Sequence, residues 1–311
     1  EIYYGAPINF ERVLEPPTHK LEDPKRYLFI STPLGLVSLS DKVTIEDFLR
    51  KILPKDKPFR FDIEKIGGAL NTVYLLNLRV GDHTERMIVK VFKDWYSFKW
   101  FPLALWALGA RGFSVLGKSR LEREYAINKF LSTHGIRVPK ILYVSPGEKL
   151  IFEEYVDGIS LIDVIRQIVR FKSRIDVPAK VIRKVGKEIA EIHNLDVALG
   201  DCKPENLIIT IDGDLCFVDL EQASRGGDQA WDIAEFLYYS GHYLPSLSTE
   251  AAKIITKEFI SGYLEAGGKI KNLKRAMSLK YMRVFGFFTQ PSIILAIYSA
   301  YRETLKRMSR D

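Results

Sequence analysis

The sequence predicts an α+β fold of two lobes preceded by an N-terminal extension. Five short apolar runs within residues 59–156 are typical of strands, and helical spacing separates the third run from the fourth at 118–133. After Asp157-Gly158 the spacing becomes helical, as at 177–193. We therefore expect three segments: an extension at 1–58, a β-rich small lobe at 59–156 and a mostly helical large lobe at 157–311.

The first part of the extension shows no hydrophobic periodicity, and the second part shows the pattern of a hairpin followed by a helix. Residues 1–25 are rich in proline and charge and predict an arm. Two apolar runs flanking residues 32–35 predict a hairpin. Thr44 and Asp47 have the spacing of a capping box, so we expect a helix to begin there and to end before Pro54. This piece either supports the small lobe, which we favour, or recruits a substrate.

The composition is that of a globular protein with a basic surface. Of 311 residues, 47% are hydrophobic and 27% are charged, which is enough to bury a sizeable core. The formal charge of +7 favours polyanionic partners, although many enzymes are equally basic. Two cysteines, Cys202 and Cys216, argue against a disulfide scaffold and for a reducing compartment, so we expect a cytoplasmic protein.

Two apolar stretches raise the question of a membrane segment. Residues 100–110 are too few to cross a bilayer. Residues 281–301 are interrupted by Arg283, Gln290 and Pro291, which favours a pair of buried helices. The sequence therefore predicts no interaction with a membrane.

The residues with the clearest chemistry follow the predicted helix at 177–193. They are Asp201, Lys203, Asn206 and, at the end of a short apolar strand, Asp219. Phosphoryl transfer from ATP needs a carboxylate that orients the attacking hydroxyl, a cation near the γ-phosphate and oxygen ligands for magnesium. We expect Asp201 to be the base and Lys203 to stabilise charge. Asn206 and Asp219 would bind Mg²⁺, and Cys202 is better explained as a spacer than as a nucleophile.

Glycines in the first lobe predict a place for nucleotide phosphates. Gly67 and Gly68 lie between two predicted strands, where main-chain N–H groups can approach phosphate oxygens. Asn71 and Thr72 follow in the same loop. We expect adenine to be held by main-chain groups of the three residues before the hinge, Glu154, Tyr155 and Val156.

The sequence from Asp201 to Asn206, followed by a strand ending in Asp219, resembles the catalytic and metal loops of the protein-kinase superfamily. The resemblance implies a kinase-like fold, with ATP and Mg²⁺ as cofactors. It also implies that Lys90, which lies among apolar residues in a predicted strand, contacts phosphates and pairs with a glutamate on the next helix. Glu122 and Glu124 are candidates, and we choose Glu124 because it lies near the edge of the apolar face.

The chain departs from ordinary protein kinases after Asp219. Residues 227–234 follow almost at once, which leaves no room for a long activation segment or a peptide-docking platform. Asp232 resembles the large-lobe aspartate that supports the catalytic loop. Leu199-Gly200-Asp201 replaces His-Arg-Asp, and Asp219-Leu220-Glu221 replaces Asp-Phe-Gly. Over residues 60–240 the chain is similar to the RIO family and the KEOPS-complex kinase subunit, and in part to aminoglycoside and choline phosphotransferases.

The KEOPS-kinase group works on or beside tRNA and includes an archaeal RNA kinase that phosphorylates a tRNA ribose hydroxyl. The resemblance therefore implies an atypical kinase with tRNA or another RNA as acceptor. Two basic runs agree with this implication: Arg166, Arg170 and Arg174, and then Lys269, Lys271, Lys274, Arg275, Lys280 and Arg283. The linker at 93–117 mixes aromatic and basic residues that could stack on bases, although such segments more often pack on their own lobe.

Other functions stay open. An atypical protein serine/threonine kinase would act on a single folded protein substrate. A small-molecule phosphotransferase would need an acidic pocket for a cationic acceptor, which Glu221, Asp228 and Glu235 could supply. A pseudokinase is disfavoured because the residues expected to bind ATP and metal are all present.

Overall fold

The computed structural model has an α+β fold in which strands predominate up to Ser160 and helices predominate after it. The structure describes residues 29–32, 35–53, 58–67, 71–93, 117–170, 176–286 and 289–308. The predicted fold class is confirmed. Some predicted features lie outside the described residues, namely the arm at 1–25, Gly68, the linker at 94–116 and Arg174.

The chain forms two compact units. The first comprises Glu1–Gly67 and Val73–Arg86, and the second comprises Gly68–Thr72 and Met87–Asp311. Strand β5 (His83–Val91) starts in the first unit and ends in the second. The predicted segment borders after residues 58 and 156 stay predictions.

In the first unit a hairpin leads directly into a helix. Strand β1 (Phe29–Thr32) pairs antiparallel with β2 (Gly35–Ser38), so the predicted hairpin is present. Helix α1 (Leu39–Ile52) follows at once. The predicted helix start at Thr44 and Asp47 is wrong, because both residues lie inside α1.

Burial and one hydrogen bond explain the earlier start of α1. Asp41 lies in its first turn, where a carboxylate interacts favourably with the helix dipole, and it accepts a hydrogen bond from the Tyr74 hydroxyl (2.7 Å). Ile45, Phe48 and Leu49 follow at helical spacing and are buried. The buried face of α1 therefore extends back to Asp41 in its first turn, and the spacing of Thr44 and Asp47 does not mark the start of the helix.

All five predicted small-lobe strands are present. In the first unit β3 (Phe59–Gly67) pairs antiparallel with β4 (Thr72–Val80), and β4 neighbours β5. In the second unit the end of β5 pairs antiparallel with β7 (Leu150–Glu154), which also pairs with β6 (Ile141–Ser145). Helix α2 (Gly117–Thr133) agrees with the helix predicted at 118–133. A small core joins α2 to these strands through Phe92, Leu121, Ile141 and Ile151.

The rest of the second unit is mostly helical. Short strands hold the loops between the helices: β8 (Gly158–Ser160), β9 (Val197–Ala198), β10 (Leu207–Thr210), β11 (Leu215–Phe217) and β12 (Ser224–Arg225). The helices are α3 (Leu161–Arg170), α4 (Asp176–Asn194), α5 (Gln229–His242), α6 (Thr249–Glu265), α7 (Ile270–Ala276), α8 (Leu279–Phe285) and α9 (Pro291–Met308).

The stretch at 281–301 forms parts of α8 and α9, which confirms the predicted pair of helices. Across the described ranges, the helices lack the combination of length and apolar composition that a membrane crossing requires.

Two glycines let α4 and α6 approach closely. A Cβ at Gly186 would lie 2.2 Å from the carbonyl oxygen of Phe259, and one at Gly262 would lie 2.0 Å from that of Arg183. Both obstacles are backbone atoms, which cannot turn away as a side chain can. The helix that precedes the loop of Asp201 is therefore held against α6 by close backbone contact.

Replacing Gly186 by alanine should separate α4 from α6 and lower the free energy of unfolding by about 1–3 kcal/mol, because the core cannot absorb the added methyl group. Chemical denaturation measures this change. Gly147→Ala is the control, since a Cβ there meets nothing within 4 Å. Equal stability of the two variants would show that the helices separate without cost.

Candidate active site

The loop that carries Asp201 is held by a tight turn. Gly200 has a φ of +73°, and a Cβ at this position would lie 2.5 Å from the carbonyl oxygen of Gln222. Glycine is therefore required by both conformation and space. Asp201 follows this turn, and a 3₁₀ turn at Pro204–Asn206 ends the loop.

Asp232 on α5 fixes the main chain of the same loop through hydrogen bonds. Its buried carboxylate accepts hydrogen bonds from the main-chain N–H groups of Leu199 (2.6 Å) and Gly200 (2.8 Å), and from His193 Nε2 (3.0 Å). Burying the Asp232 carboxylate without partners would be energetically costly, and each of these hydrogen bonds offsets part of that cost. The predicted supporting role of Asp232 is confirmed.

Asp201, Lys203 and Asn206 contact one another. Lys203 Nζ lies 2.6 Å from Asp201 Oδ1, and Asn206 Nδ2 donates to the other oxygen, Oδ2 (3.1 Å). Burial raises the pKa of Asp201, against the opposing effects of Lys203 and Asn206. Burial would lower the pKa of Lys203, but Asp201 and Glu235 raise it above its ordinary value. Lys203 is therefore a cation beside a partly exposed carboxylate.

The strand end that carries Asp219 is joined to this loop through the backbone. The N–H of Val218 donates to the carbonyl oxygen of Asn206 (2.9 Å), which brings Asn206 and Asp219 to neighbouring positions. Asp219 has a φ of +63°, a conformation that residues other than glycine rarely adopt and that is found often at functional sites.

Lys90 lies at the centre of a buried acidic cluster. Its Nζ pairs with Glu124 and lies 3.5 Å from both Glu153 Oε2 and Asp219 Oδ1. Burial would lower the pKa of Lys90, but these three carboxylates hold it well above its ordinary value. Burial raises the pKa of Glu124 and of Glu153. The predicted pair is therefore present, and Glu122 is exposed on the same helix.

A second network beside this cluster was not predicted. Arg120, which is fully buried, donates to Asn71 Oδ1 (2.6 Å) and pairs with Glu221 Oε2 (3.0 Å), and Asn71 also donates to Glu221. The sequence contained one indication. Arg120 precedes Glu124 by one helical turn, so an inward Glu124 places Arg120 on the same face. The side chain of Asn71 is thus occupied within the fold.

The three acids proposed for a cationic acceptor have other partners. Glu235 accepts hydrogen bonds from the N–H of Cys202 (2.7 Å) and from Trp231 Nε1 (3.2 Å). Asp228 caps α5 and pairs with Arg275 at 3.1 Å, and Glu221 belongs to the Arg120 network. Burial raises the pKa of the Cys202 thiol well above its ordinary value, which agrees with its reading as a spacer.

The remaining predicted site residues lie as follows. Glu154 ends β7 and its side chain pairs with Arg137 (2.7 Å), and Tyr155 and Val156 follow half-buried. Thr72 is buried in the second unit, and Gly67 ends β3 in the first. Their predicted contacts with nucleotide stay predictions.

The family model described as lipopolysaccharide kinase (Kdo/WaaP) family matches residues 79–236, just over half of the chain. The chain belongs to the lipopolysaccharide kinase (Kdo/WaaP) family. The matched region contains the catalytic loop, Asp219 and the Lys90–Glu124 pair described above. The protein is therefore an atypical kinase, a phosphotransferase that acts on a hydroxyl acceptor.

Individual relatives of this Kdo/WaaP family member carry different names. KEOPS complex subunit Bud32 of Pyrococcus abyssi is 28% identical over 179 residues, which cover 58% of this chain and 78% of Bud32. A probable bifunctional tRNA threonylcarbamoyladenosine biosynthesis protein of Methanobrevibacter smithii is 28% identical over 159 residues, 51% of this chain and 27% of that protein. Serine/threonine-protein kinase GL21140 of Drosophila persimilis is 36% identical over 192 residues, 57% of this chain and 22% of that kinase. The predicted resemblance to the KEOPS kinase subunit is confirmed.

A kinase of the Kdo/WaaP family uses ATP and typically Mg²⁺, and the residues present fit that metal. Asn206 donates its amide N–H groups to the main-chain oxygen (2.9 Å) and the carboxylate of Asp201, which leaves its carbonyl oxygen for a cation. Asp219 contributes a partly exposed carboxylate at the neighbouring strand end. Carboxylate and amide oxygens are the ligands that Mg²⁺ prefers.

Glu124→Gln should lower turnover about 10- to 100-fold, because Lys90 loses the charge that fixes its position and a small displacement is costly in catalysis. Steady-state kinetics with saturating ATP measures this. Glu122→Gln is the matched control on the same helix, since Glu122 is exposed and lies 3.9 Å from Lys118. A fully active Glu124 variant beside an inactive Glu122 variant would contradict the assignment.

Proposed function

We propose that this kinase transfers the γ-phosphate of Mg-ATP to a ribose hydroxyl of tRNA. The choice of acceptor rests on the exposed basic surface on α7 and α8. The loop after Asp219 is also too short to form the peptide-docking platform of ordinary protein kinases. Six basic side chains of this surface are exposed: Lys269, Lys271, Lys274, Arg275, Lys280 and Arg283.

In this proposal the catalytic loop carries out the transfer. Asp201 orients the attacking hydroxyl and takes its proton as the oxygen bonds to the γ-phosphorus. The bond from that phosphorus to the ADP oxygen breaks, and Lys203 stabilises the developing negative charge. Asn206 and Asp219 hold magnesium. The 2.6 Å pair between Lys203 and Asp201 supports these two roles, because it keeps a cation beside the base.

The nucleotide would lie along the β-rich part of the chain. Lys90, kept cationic by its three carboxylates, contacts the α- and β-phosphates. The main chain of Thr72 would approach phosphate oxygens. Adenine would hydrogen-bond to the main chain of Glu154, Tyr155 and Val156.

An open groove next to the basic surface adds support for an RNA acceptor. It has a volume of about 1110 Å³. Its lining combines Lys274, Arg302, Lys306 and the exposed ring of Tyr298 with Glu303 and with leucine and isoleucine side chains. Cationic side chains beside an aromatic face suit a nucleic acid, because phosphates pair with the charges and bases stack on the ring. The names of the Bud32 and tRNA-biosynthesis relatives agree with this acceptor.

A protein serine/threonine kinase is the second candidate, because the Drosophila persimilis relative carries that name at 36% identity. The short loop after Asp219 would restrict such a kinase to a folded protein substrate. A small cationic acceptor is less well supported, because Glu221, Asp228 and Glu235 are engaged within the fold.

Two alanine variants test whether Asp219 binds the metal and Asp201 acts as the base. Asp219→Ala should abolish transfer and weaken Mg-ATP binding at least about 10-fold, since it removes a metal ligand. Asp201→Ala should lower turnover by about 10²- to 10⁴-fold while ATP binding stays near normal. Calorimetry with Mg-ATP, together with turnover measurements, separates the two effects. The reverse pattern would show that the two roles are exchanged.

The acceptor is tested with labelled ATP, offered in parallel with tRNA, total protein, glycolipid and metabolite fractions. We expect label in tRNA, recovered on a ribose hydroxyl after digestion to nucleosides. Binding to tRNA should weaken log-linearly with salt, because each phosphate contact releases counterions. Replacing Lys274 and Arg302 by alanine, or Arg166, Arg170 and Arg174, should flatten that slope by about one unit per lost contact.

Lys129→Ala is the control for the binding experiment, since Lys129 is an exposed lysine on α2. It should leave the salt slope unchanged. Label in protein, glycolipid or metabolite but not in tRNA would overturn the RNA acceptor and leave the kinase assignment intact.

A further inference from the structure

The acidic cluster around Lys90 carries more negative than positive charge. Four carboxylates belong to it, those of Glu124, Glu153, Asp219 and Glu221, while Lys90 and Arg120 are the cations in direct contact with them. With all groups ionised, two negative charges are uncompensated among side chains that are mostly buried. Such an excess is costly in a protein interior unless a cation or protons balance it.

Three of these carboxylates converge. One oxygen from each of Glu124, Asp219 and Glu221 lies within 4.8 Å of the others. Glu124 is 1% exposed, and its Oε1 pairs with Lys90 while its Oε2 has no hydrogen-bond partner among the described residues. A buried carboxylate oxygen without a donor is unusual, because buried polar atoms are nearly always hydrogen-bonded.

We propose that Glu124, Asp219 and Glu221 bind a divalent cation in the nucleotide-free protein, at a site that shares Asp219 with the nucleotide's metal but does not include Asn206. The ion would take Glu124 Oε2, leaving Oε1 to Lys90. At Glu221 it would take Oε1, since Oε2 is occupied by Arg120 and Asn71 and the Gln222 amide lies at 3.5 Å from Oε1.

The chemistry of the ligands selects a hard cation. Three carboxylate oxygens suit Mg²⁺ or Mn²⁺, with water completing the coordination shell, and disfavour metals that prefer sulfur or imidazole. Two positive charges also balance the two excess negative charges of the cluster. Repulsion from the Lys90 ammonium is outweighed because the ion faces three carboxylates directly.

The proposed ion has a structural consequence. Glu124 lies on α2, whereas Asp219 and Glu221 follow β11, so the ion would join the helix to the loop before any nucleotide arrives. The Lys90–Glu124 pair and Asp219 would then be held in their present arrangement when Mg-ATP binds. The site would pre-organise the nucleotide-binding residues without taking part in phosphate transfer.

Titration with Mn²⁺ in the absence of nucleotide and acceptor tests the site, with paramagnetic resonance used to count the free ion. We expect saturable binding of one Mn²⁺ by the wild-type chain. Glu221→Gln and Glu124→Gln should each weaken it about 10- to 100-fold or more. Asn206→Ala and Glu122→Gln should bind Mn²⁺ as the wild type does. Circular dichroism of each variant establishes that it is folded.

The inference is overturned if the wild type shows no saturable binding, or if neither Glu221→Gln nor Glu124→Gln changes the affinity. Equal loss in Asn206→Ala would also overturn it, by assigning the ion to the nucleotide's metal site. If Glu221→Gln fails to fold, Glu124→Gln alone decides the outcome. Because no acceptor is present, the result is independent of the RNA proposal.

Discussion

The buried carboxylate of Asp232 determines where the catalytic loop lies. It accepts hydrogen bonds from the main-chain N–H groups of Leu199 and Gly200 within the core of the second unit. These bonds offset the free-energy cost of burying the carboxylate charge. Gly200 then makes a turn that a side chain would block. Asp201 follows immediately and stays partly exposed beside Lys203. The position of Asp201, the residue proposed as the base, thus depends on a side chain that is buried in the core.

A second constraint is the buried charge around Lys90. Ion pairs in a protein interior seldom add stability over a well-packed apolar set, because desolvation offsets their attraction. The main effect of the network is therefore to fix the positions of the charged side chains that it joins. Helix α2 carries Arg120 and Glu124 one turn apart, and through them it contacts both Glu221 and Lys90. One helix consequently orients both Lys90 and the loop after Asp219.

The sequence predicted the features that depend on local spacing. The strands, helix α2 and the choice of Glu124 over Glu122 follow from periodicity, and the support from Asp232 follows from the motif. The start of α1 was wrong because capping patterns occur inside helices, and burial from Asp41 onward decided the boundary. The Arg120–Glu221 pair joins residues about a hundred positions apart, so local spacing could place Arg120 on the same face as Glu124 but could not identify Glu221 as its partner.

The fold leaves the acceptor open, since one kinase-like scaffold serves many substrates. The surroundings of the catalytic loop narrow the choice. Lys203 Nζ lies 5.4 Å from the centre of the Tyr239 ring, and the Tyr243 hydroxyl donates to Glu205 in the same loop. Lys203 and the tyrosine rings beside this loop complement an acceptor with planar groups and negative charge, as the proposed tRNA acceptor has. A small cationic alcohol would instead meet Lys203, whose charge repels it.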